Sequence, residues 1–192
     1  MPKFTFKILA AASIVLIITV ALANWIIYSK TKEFLVNEIR SELESNVRLS
    51  KKIIDISVFE KEDKDSLKIF ADEIKRLTGL RTTLILKSGE VIADSEVPVE
   101  NLPEIENHSY RDEVKEAMEK GSGFSVRHSS TINKDLFYYC ENLHRNNKII
   151  GFIRFAVFNE SFSKRLDFLT KILVQIDVLI LVIFAAFNLS AV

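Results

Sequence analysis

The chain has 192 residues, with 26 basic and 26 acidic side chains and no net charge at neutral pH. A balanced charge leaves no electrostatic footprint for nucleic acid, so no nucleic-acid partner is expected. Cys140 is the only cysteine, which excludes an internal disulfide and leaves the fold to one apolar core.

Two apolar stretches bracket the sequence. The first runs from Ile8 to Tyr28 without a charge; the second runs from Ile172 to Val192, broken only by Gln175, Asp177, Asn188 and Ser190. Each is long enough to cross ~30 Å of hydrocarbon as a helix. Lys3 and Lys7 precede the first stretch and no acid does, which favours an inner N-terminus. Residues 1–7 are then a cytoplasmic tail, 8–28 a first span, 29–168 one extracytoplasmic domain and 169–192 a second span. The expected localisation is the cell membrane, with lipid as a partner. A cleaved signal peptide is the competing reading, since Ala21-Leu22-Ala23 resembles a cleavage site. Trp25, Ile26, Ile27 and Tyr28 continue the apolar run beyond it, which favours an uncleaved anchor with Trp25 and Tyr28 at the outer interface. A carboxylate at mid-membrane costs ~2.5–3.5 kcal/mol on insertion scales, so Asp177 is expected at an interface. No polar flank follows the second span, and the chain is expected to continue into a longer protein.

Neither glycine nor proline occurs between Lys3 and Thr78, so the first span is predicted to continue as helix into the domain. Leu35, Ile39, Leu43 and Val47 recur every four residues between charged flanks. A stripe this narrow suits a partner helix, and it predicts a parallel homodimer interface. Beyond Val47 the apolar arc widens through Leu49, Ile53, Ile54 and Ile56, as for packing on a sheet. A second helix is predicted over 65–77, with Leu67, Phe70, Ile74 and Leu77 inward and Gly79 as its cap. Strands follow over 80–87 and 91–93, joined by a Ser88-Gly89 turn. After a loop with Pro98 and Pro103, Ser109 is the expected N-cap of a short helix ending at Lys120 and Gly121. Three strands are predicted over 123–132, 136–143 and 148–158, with turns at Asn133-Lys134 and Arg145-Asn146-Asn147. Helix resumes from Asn159. The order predicts an α+β domain: one five-stranded antiparallel sheet with helices against it.

No catalytic motif is present. There is no phosphate-cradling glycine loop, no paired metal-ligating histidines and no nucleophile elbow. No cofactor, metal or catalytic residue is expected, and His108, His128 and His144 do not open a phosphoacceptor pattern. The segments Glu106-Asn107-His108-Ser109-Tyr110-Arg111-Asp112-Glu113-Val114, Arg127-His128-Ser129-Ser130-Thr131 and Ser88-Gly89-Glu90-Val91-Ile92-Ala93-Asp94-Ser95 resemble the extracytoplasmic sensor of PhoR-like histidine kinases. Asp112 stands where that pattern has proline, and His128 where it has tyrosine. The resemblance implies a PAS-like fold of the single Cache (PDC) type. It implies the signal-input region of a two-component sensor kinase that feeds a phosphorelay. A response regulator would then be a partner only through kinase domains outside these residues. Input to a methyl-accepting chemoreceptor or a cyclic-dinucleotide enzyme, or a tethered structural domain, remain as alternatives.

His108 and Arg111 open the short helix, where backbone N–H groups attract anions. The alternative is that Asn107 and His108 hold the loop to the sheet. Arg127 shares a strand face with Ser125, Ser129 and Thr131, a pocket wall or a wet surface. Tyr138 and Tyr139 lie on opposite faces, so one belongs to the core. The candidate ligand-binding set is His108, Tyr110, Arg111, Arg127, His128 and Tyr139, for a small anionic ligand.

Overall fold

The computed structural model describes residues 3–129, 134–158 and 160–190. The chain divides into two units: Asn37–Asn159, and Met1–Val36 together with Glu160–Val192.

The terminal unit is helical, holding the first part of α1 (Lys3–Ile53) and all of α5 (Glu160–Ser190). Both helices are long and apolar enough to cross a membrane, and the protein does not bury their apolar windows. Ile14, Ile18, Trp25, Leu179 and Val182 are exposed, the surface a lipid-facing helix presents. Asp177 has a partner that the sequence reading did not provide. Asn24 Nδ2 donates to both of its carboxylate oxygens, at 2.8 Å each. Away from water, a polar group on one helix is best satisfied by a polar group on its neighbour.

In the central unit α1 runs on unbroken to Ile53, as the lack of glycine and proline predicts. It ends because Asp55 caps a new helix: its carboxylate accepts from the Ser57 N–H at 2.8 Å and opens α2 (Ile56–Glu60). α3 (Lys64–Thr78) starts on Asp63 and stops at Gly79, which is left-handed at φ 74°. The remaining order is β1 (Arg81–Leu86), β2 (Val91–Asp94), a 3-10 helix (Val99–Glu104), α4 (Asp112–Lys120), β3 (Ser122–Ser129), β4 (Lys134–Arg145) and β5 (Lys148–Phe158). The β4–β5 turn uses Asn146 and Asn147 at φ 50° and 62°. Of the expected Asn133-Lys134 turn, Asn133 lies outside the described residues and Lys134 is the first residue of β4. All neighbouring strands are antiparallel, in the order β2-β1-β5-β4-β3. This is the expected α+β, PAS-like sheet with a long N-terminal helix.

The two faces of the sheet are covered differently. On one, Leu102 of the 3-10 helix and Val114 and Ala117 of α4 close over Ile85, Val91, Cys140 and Phe152. On the other lies α1: Arg40 stacks over the Phe124 ring at 5.6 Å, and Lys51 pairs with Glu141 at 2.5 Å. α3 packs against β1 and β2.

This arrangement corrects several expectations. Ile39, Leu43 and Val47 are 4%, 1% and 0% exposed, and Leu35 is 6% exposed, all within the single chain. Within the single chain the stripe is core, and in the central unit Ile39, Leu43 and Val47 are its buried members. Leu49 and Ile53, expected inward, are 59% and 62% exposed, as is Leu77 at 62%. Ala71, small and wholly buried, takes the inward place on α3 beside Leu67 and Ile74. Ser109 does not cap α4. Arg111 is the residue before its first turn, and the Ser109 N–H donates to Asn107 Oδ1 at 2.8 Å in a local turn instead.

Candidate functional site

Residues directly opposite one another in antiparallel neighbours project to the same face. On the face beneath α4 the register lays down three rows. Asp94, Thr83, Arg154, Cys140 and Gly123 form the first. Arg81, Ala156, Tyr138 and Ser125 form the second, and Phe158, Leu136 and Arg127 the third. A lone arginine within the apolar β5 run is thus set in the middle of the sheet, and it is 3% exposed.

Glu113, in the first turn of α4, reaches down to this cluster and is wholly buried. Its Oε1 accepts from Arg127 Nη2 at 2.9 Å and lies 3.4 Å from Arg154 Nη1; its Oε2 accepts from the Ser125 hydroxyl at 2.7 Å. Burial alone would raise its carboxyl pKa. The Ser125 hydrogen bond, its own backbone N–H and the two guanidinium charges outweigh that and hold it below the usual carboxylate range. Arg154 Nη2 donates to Thr83 Oγ1 at 3.3 Å, and Thr83 donates on to Asp94 at 2.7 Å. Asp94 also accepts from Arg81 Nε at 3.0 Å and from the Glu96 N–H at 2.8 Å. The network runs unbroken from β2 to β3, with Arg154 as its least satisfied member: its Nε is buried without a partner among the described residues.

Gly123 lets α4 come this close. A side-chain Cβ there would collide with the Glu113 carbonyl oxygen and stand 2.8 Å from Glu116 Cβ. Beside the cluster is an open groove of about 400 Å³ lined by Arg81, Glu96, Leu136, Tyr138, Ala156 and Phe158. Tyr138 connects the two. Arg127 lies over its ring at 3.8 Å and Arg154 at 5.3 Å. The Arg127 side chain is 30% exposed and stacks on Tyr138, which lines the groove; Arg81 is the arginine in the groove wall itself. Two guanidinium groups, a phenol ring and an apolar wall can hold a small oxyanion with a short apolar body.

No protein-family model matches the chain, and no curated protein matches it significantly. Solved structures do match. The sensory domain of the Campylobacter jejuni chemoreceptor Tlp3 (CcmL) with isoleucine bound superposes with a TM-score of 0.53 at 15% identity, covering 86% of this chain and 67% of that one. The ligand-binding domain of the same receptor in complex with L-valine gives 0.53 at 15%, over 86% and 68%. The V. cholerae histidine kinase DctB sensor domain gives 0.51 at 17%, over 70% of this chain and 60% of its own. The chain shares the fold of these domains. At these identities the likeness is one of fold alone.

Within the sensory-domain fold the candidate residues fare unequally. Arg127 lies in the cluster. His108 borders it: 6% exposed, it has its pKa lowered to about 4, first by burial and then by the Arg154 charge. Its backbone N–H donates to the Gly89 carbonyl at 2.8 Å, and its ring Nδ1 is 2.7 Å from the Glu106 carbonyl. With Asn107 bonded to the Ser88 carbonyl at 3.1 Å, the loop-holding alternative describes its contacts. Tyr110 and Arg111 form a rim with Glu106, which accepts from Arg111 at 3.1 Å. Tyr139 is not at this site. It pairs with Phe124 and Phe155, lies on the α1 face and is 3% exposed; Tyr138 is the tyrosine at the groove. The His128 side chain lies outside the described residues. Sequence reasoning missed Arg154, Glu113, Thr83, Asp94 and Arg81. The sign for Arg154 was a single charge inside Phe152-Ile153-Arg154-Phe155-Ala156, since a charged residue in a fully apolar strand is buried and therefore paired.

Proposed function

We propose that this chain is the signal-input region of a bacterial two-component sensor histidine kinase of the PhoR-like type. α1 and α5 anchor it as two membrane spans, and the central unit lies outside the cell membrane. The observation that carries the reading is the buried arginine cluster opening through Tyr138 onto a groove, on the α4 side of a sensory-domain fold. A small anionic ligand binds there, against Arg127 and Tyr138 and within reach of Arg154. The Tlp3 domains hold isoleucine and L-valine, and a groove of about 400 Å³ admits a ligand of that order. Binding biases two arrangements of the sheet and its helices that hold the ligand with different affinity, and α1 and α5 pass the difference inward. Autophosphorylation and contact with a response regulator belong to other domains of the parent protein. A parallel homodimer then meets through the outer face of α1, where Leu49 and Ile53 stand exposed one turn apart, and not through the buried stripe. Input to a chemoreceptor is the second reading, favoured by the 86% of the chain that superposes on the Tlp3 domain.

The test is a thermal-melt screen of the detergent-solubilised chain against small carboxylates and amino acids. At least one compound should raise the melting temperature of the wild type and not of Arg127→Gln. A panel that moves neither protein refutes ligand sensing at this site. For topology, a cysteine at exposed Lys61 should be labelled in intact cells by a membrane-impermeant maleimide; protection until lysis contradicts an outer location.

A further inference from the structure

The anion position of the arginine cluster is taken by a side chain of the protein itself. Glu113 differs from the other buried acid, Asp94, in where it comes from. Asp94 belongs to the sheet and bonds to its own hairpin neighbourhood, Arg81, Thr83 and the Glu96 N–H. Glu113 is delivered from outside the sheet by α4 and holds two arginines unevenly, at 2.9 Å from Arg127 and 3.4 Å from Arg154. Arg154 keeps an unpartnered buried Nε among the described residues. Arg127 is the half-open member: it stacks on Tyr138 at 3.8 Å, and Tyr138 lines the groove. An oxyanion in the groove lies against Arg81 and Tyr138, and of the two arginines on Glu113 it is Arg127, stacked on Tyr138 and 30% exposed, that it reaches first.

We propose that Glu113 is a built-in carboxylate that fills the anion subsite, and that the ligand is a small carboxylate which exchanges with it on Arg127 and Arg154. This rests on the ligand-sensing reading above and adds the ligand's class and its competitor. A carboxylate presents the same two oxygens that Glu113 presents now, so the exchange conserves charge at the arginines. The released Glu113 leaves Ser125 as well, and the contact between its carbonyl oxygen and Gly123 ties that release to the seating of α4 on β3. Ligand entry and α4 displacement are then one event.

The exchange predicts an unusual sign. Removing a ligand-contacting acid normally weakens or spares binding, whereas removing an internal competitor strengthens it. The test uses the full chain in lipid nanodiscs, with acetate, succinate and L-valine each titrated by calorimetry into the wild type, Glu113→Gln and Ser125→Ala. A probe that binds the wild type should bind Glu113→Gln about tenfold more tightly, the scale of one charged hydrogen bond. It should also raise the melting temperature of Glu113→Gln more than that of the wild type, because the ligand restores the missing carboxylate. Ser125→Ala loosens Glu113 without touching either arginine and should tighten binding by a smaller factor; it carries the test should Glu113→Gln not fold. Equal or weaker binding by the variants, with the wild type still binding, overturns the exchange and leaves ligand sensing standing. No binding of any probe to any of the three proteins overturns both.

Discussion

Replacing Arg154 with methionine separates what the buried arginine does for stability from what it does for the site. The side chain is 3% exposed, so a naive reading makes it a keystone. Its contacts are weak, however: 3.4 Å to Glu113 and 3.3 Å to Thr83, with Nε unpartnered among the described residues. A well-formed hydrogen bond to a charged group is worth ~1.5–3 kcal/mol, and two stretched ones ~1–2 kcal/mol together. Against this stands the desolvation of a guanidinium, several kcal/mol, which methionine removes while filling most of the volume. Glu113 keeps Ser125 at 2.7 Å and Arg127 at 2.9 Å, and Thr83 keeps Asp94 at 2.7 Å. The lost attraction to the buried Glu113 carboxylate offsets most of the remaining gain, so Arg154→Met should lie within ~1 kcal/mol of the wild type, a few degrees in melting temperature. Glu113→Gln, which strips the carboxylate from two arginines, should cost ~3–5 kcal/mol. Far-UV circular dichroism melts and urea titrations of the detergent-solubilised chain read both. A loss above ~3 kcal/mol in Arg154→Met contradicts the assignment of Arg154 to ligand binding rather than to the fold.

Gly123→Ala pushes a methyl group into the Glu113 carbonyl and should destabilise the chain by ~1–3 kcal/mol in the same melts, with an unchanged melting temperature refuting the close α4 contact. His108 titrates at about 4 in the folded chain and 6.5 when exposed, so the unfolded chain binds the extra proton between those values. Stability should fall as pH drops from about 6.5 to about 4, by up to ~3 kcal/mol from this group, and stay level in that respect below it; His108→Gln should flatten the pH dependence of urea midpoints in that window. Single cysteines at Leu49 and Ile53 should cross-link between chains faster than ones at Leu43 and Val47; the reverse order would restore the stripe as an interface.

Most of the fold was legible because its signals are local. Gly79 and Gly121 stop α3 and α4, Asn146-Asn147 turns β4 into β5, and apolar alternation marks the strands. What failed were statements about which surface covers which. The Leu35–Val47 periodicity establishes that one helix face is covered, but a partner helix and the protein's own sheet impose the same spacing. The outward Leu77 and inward Ala71 show the same limit, since side-chain size alone does not give the azimuth of a helix. At the site, period-two alternation paired Arg127 with Ser125 and separated Tyr138 from Tyr139, but it could not say which face α4 would take. That choice depends on Gly123 and Glu113 meeting across ten residues of chain, a contact with no periodic signature. Arg154 was within reach of burial reasoning alone.

Hydrogen–deuterium exchange on the full chain in nanodiscs, with and without the compound that most raises its melting temperature, tests the central claim most directly. Ligand bound on the α4 side of the sheet should change exchange in α4 (Asp112–Lys120) and slow it in β3 and at the start of β4, where Arg127 and Tyr138 sit. Exchange that slows only in the α1 segment of the central unit, with α4 and β3 unaffected, would place the ligand on the opposite face and contradict the account.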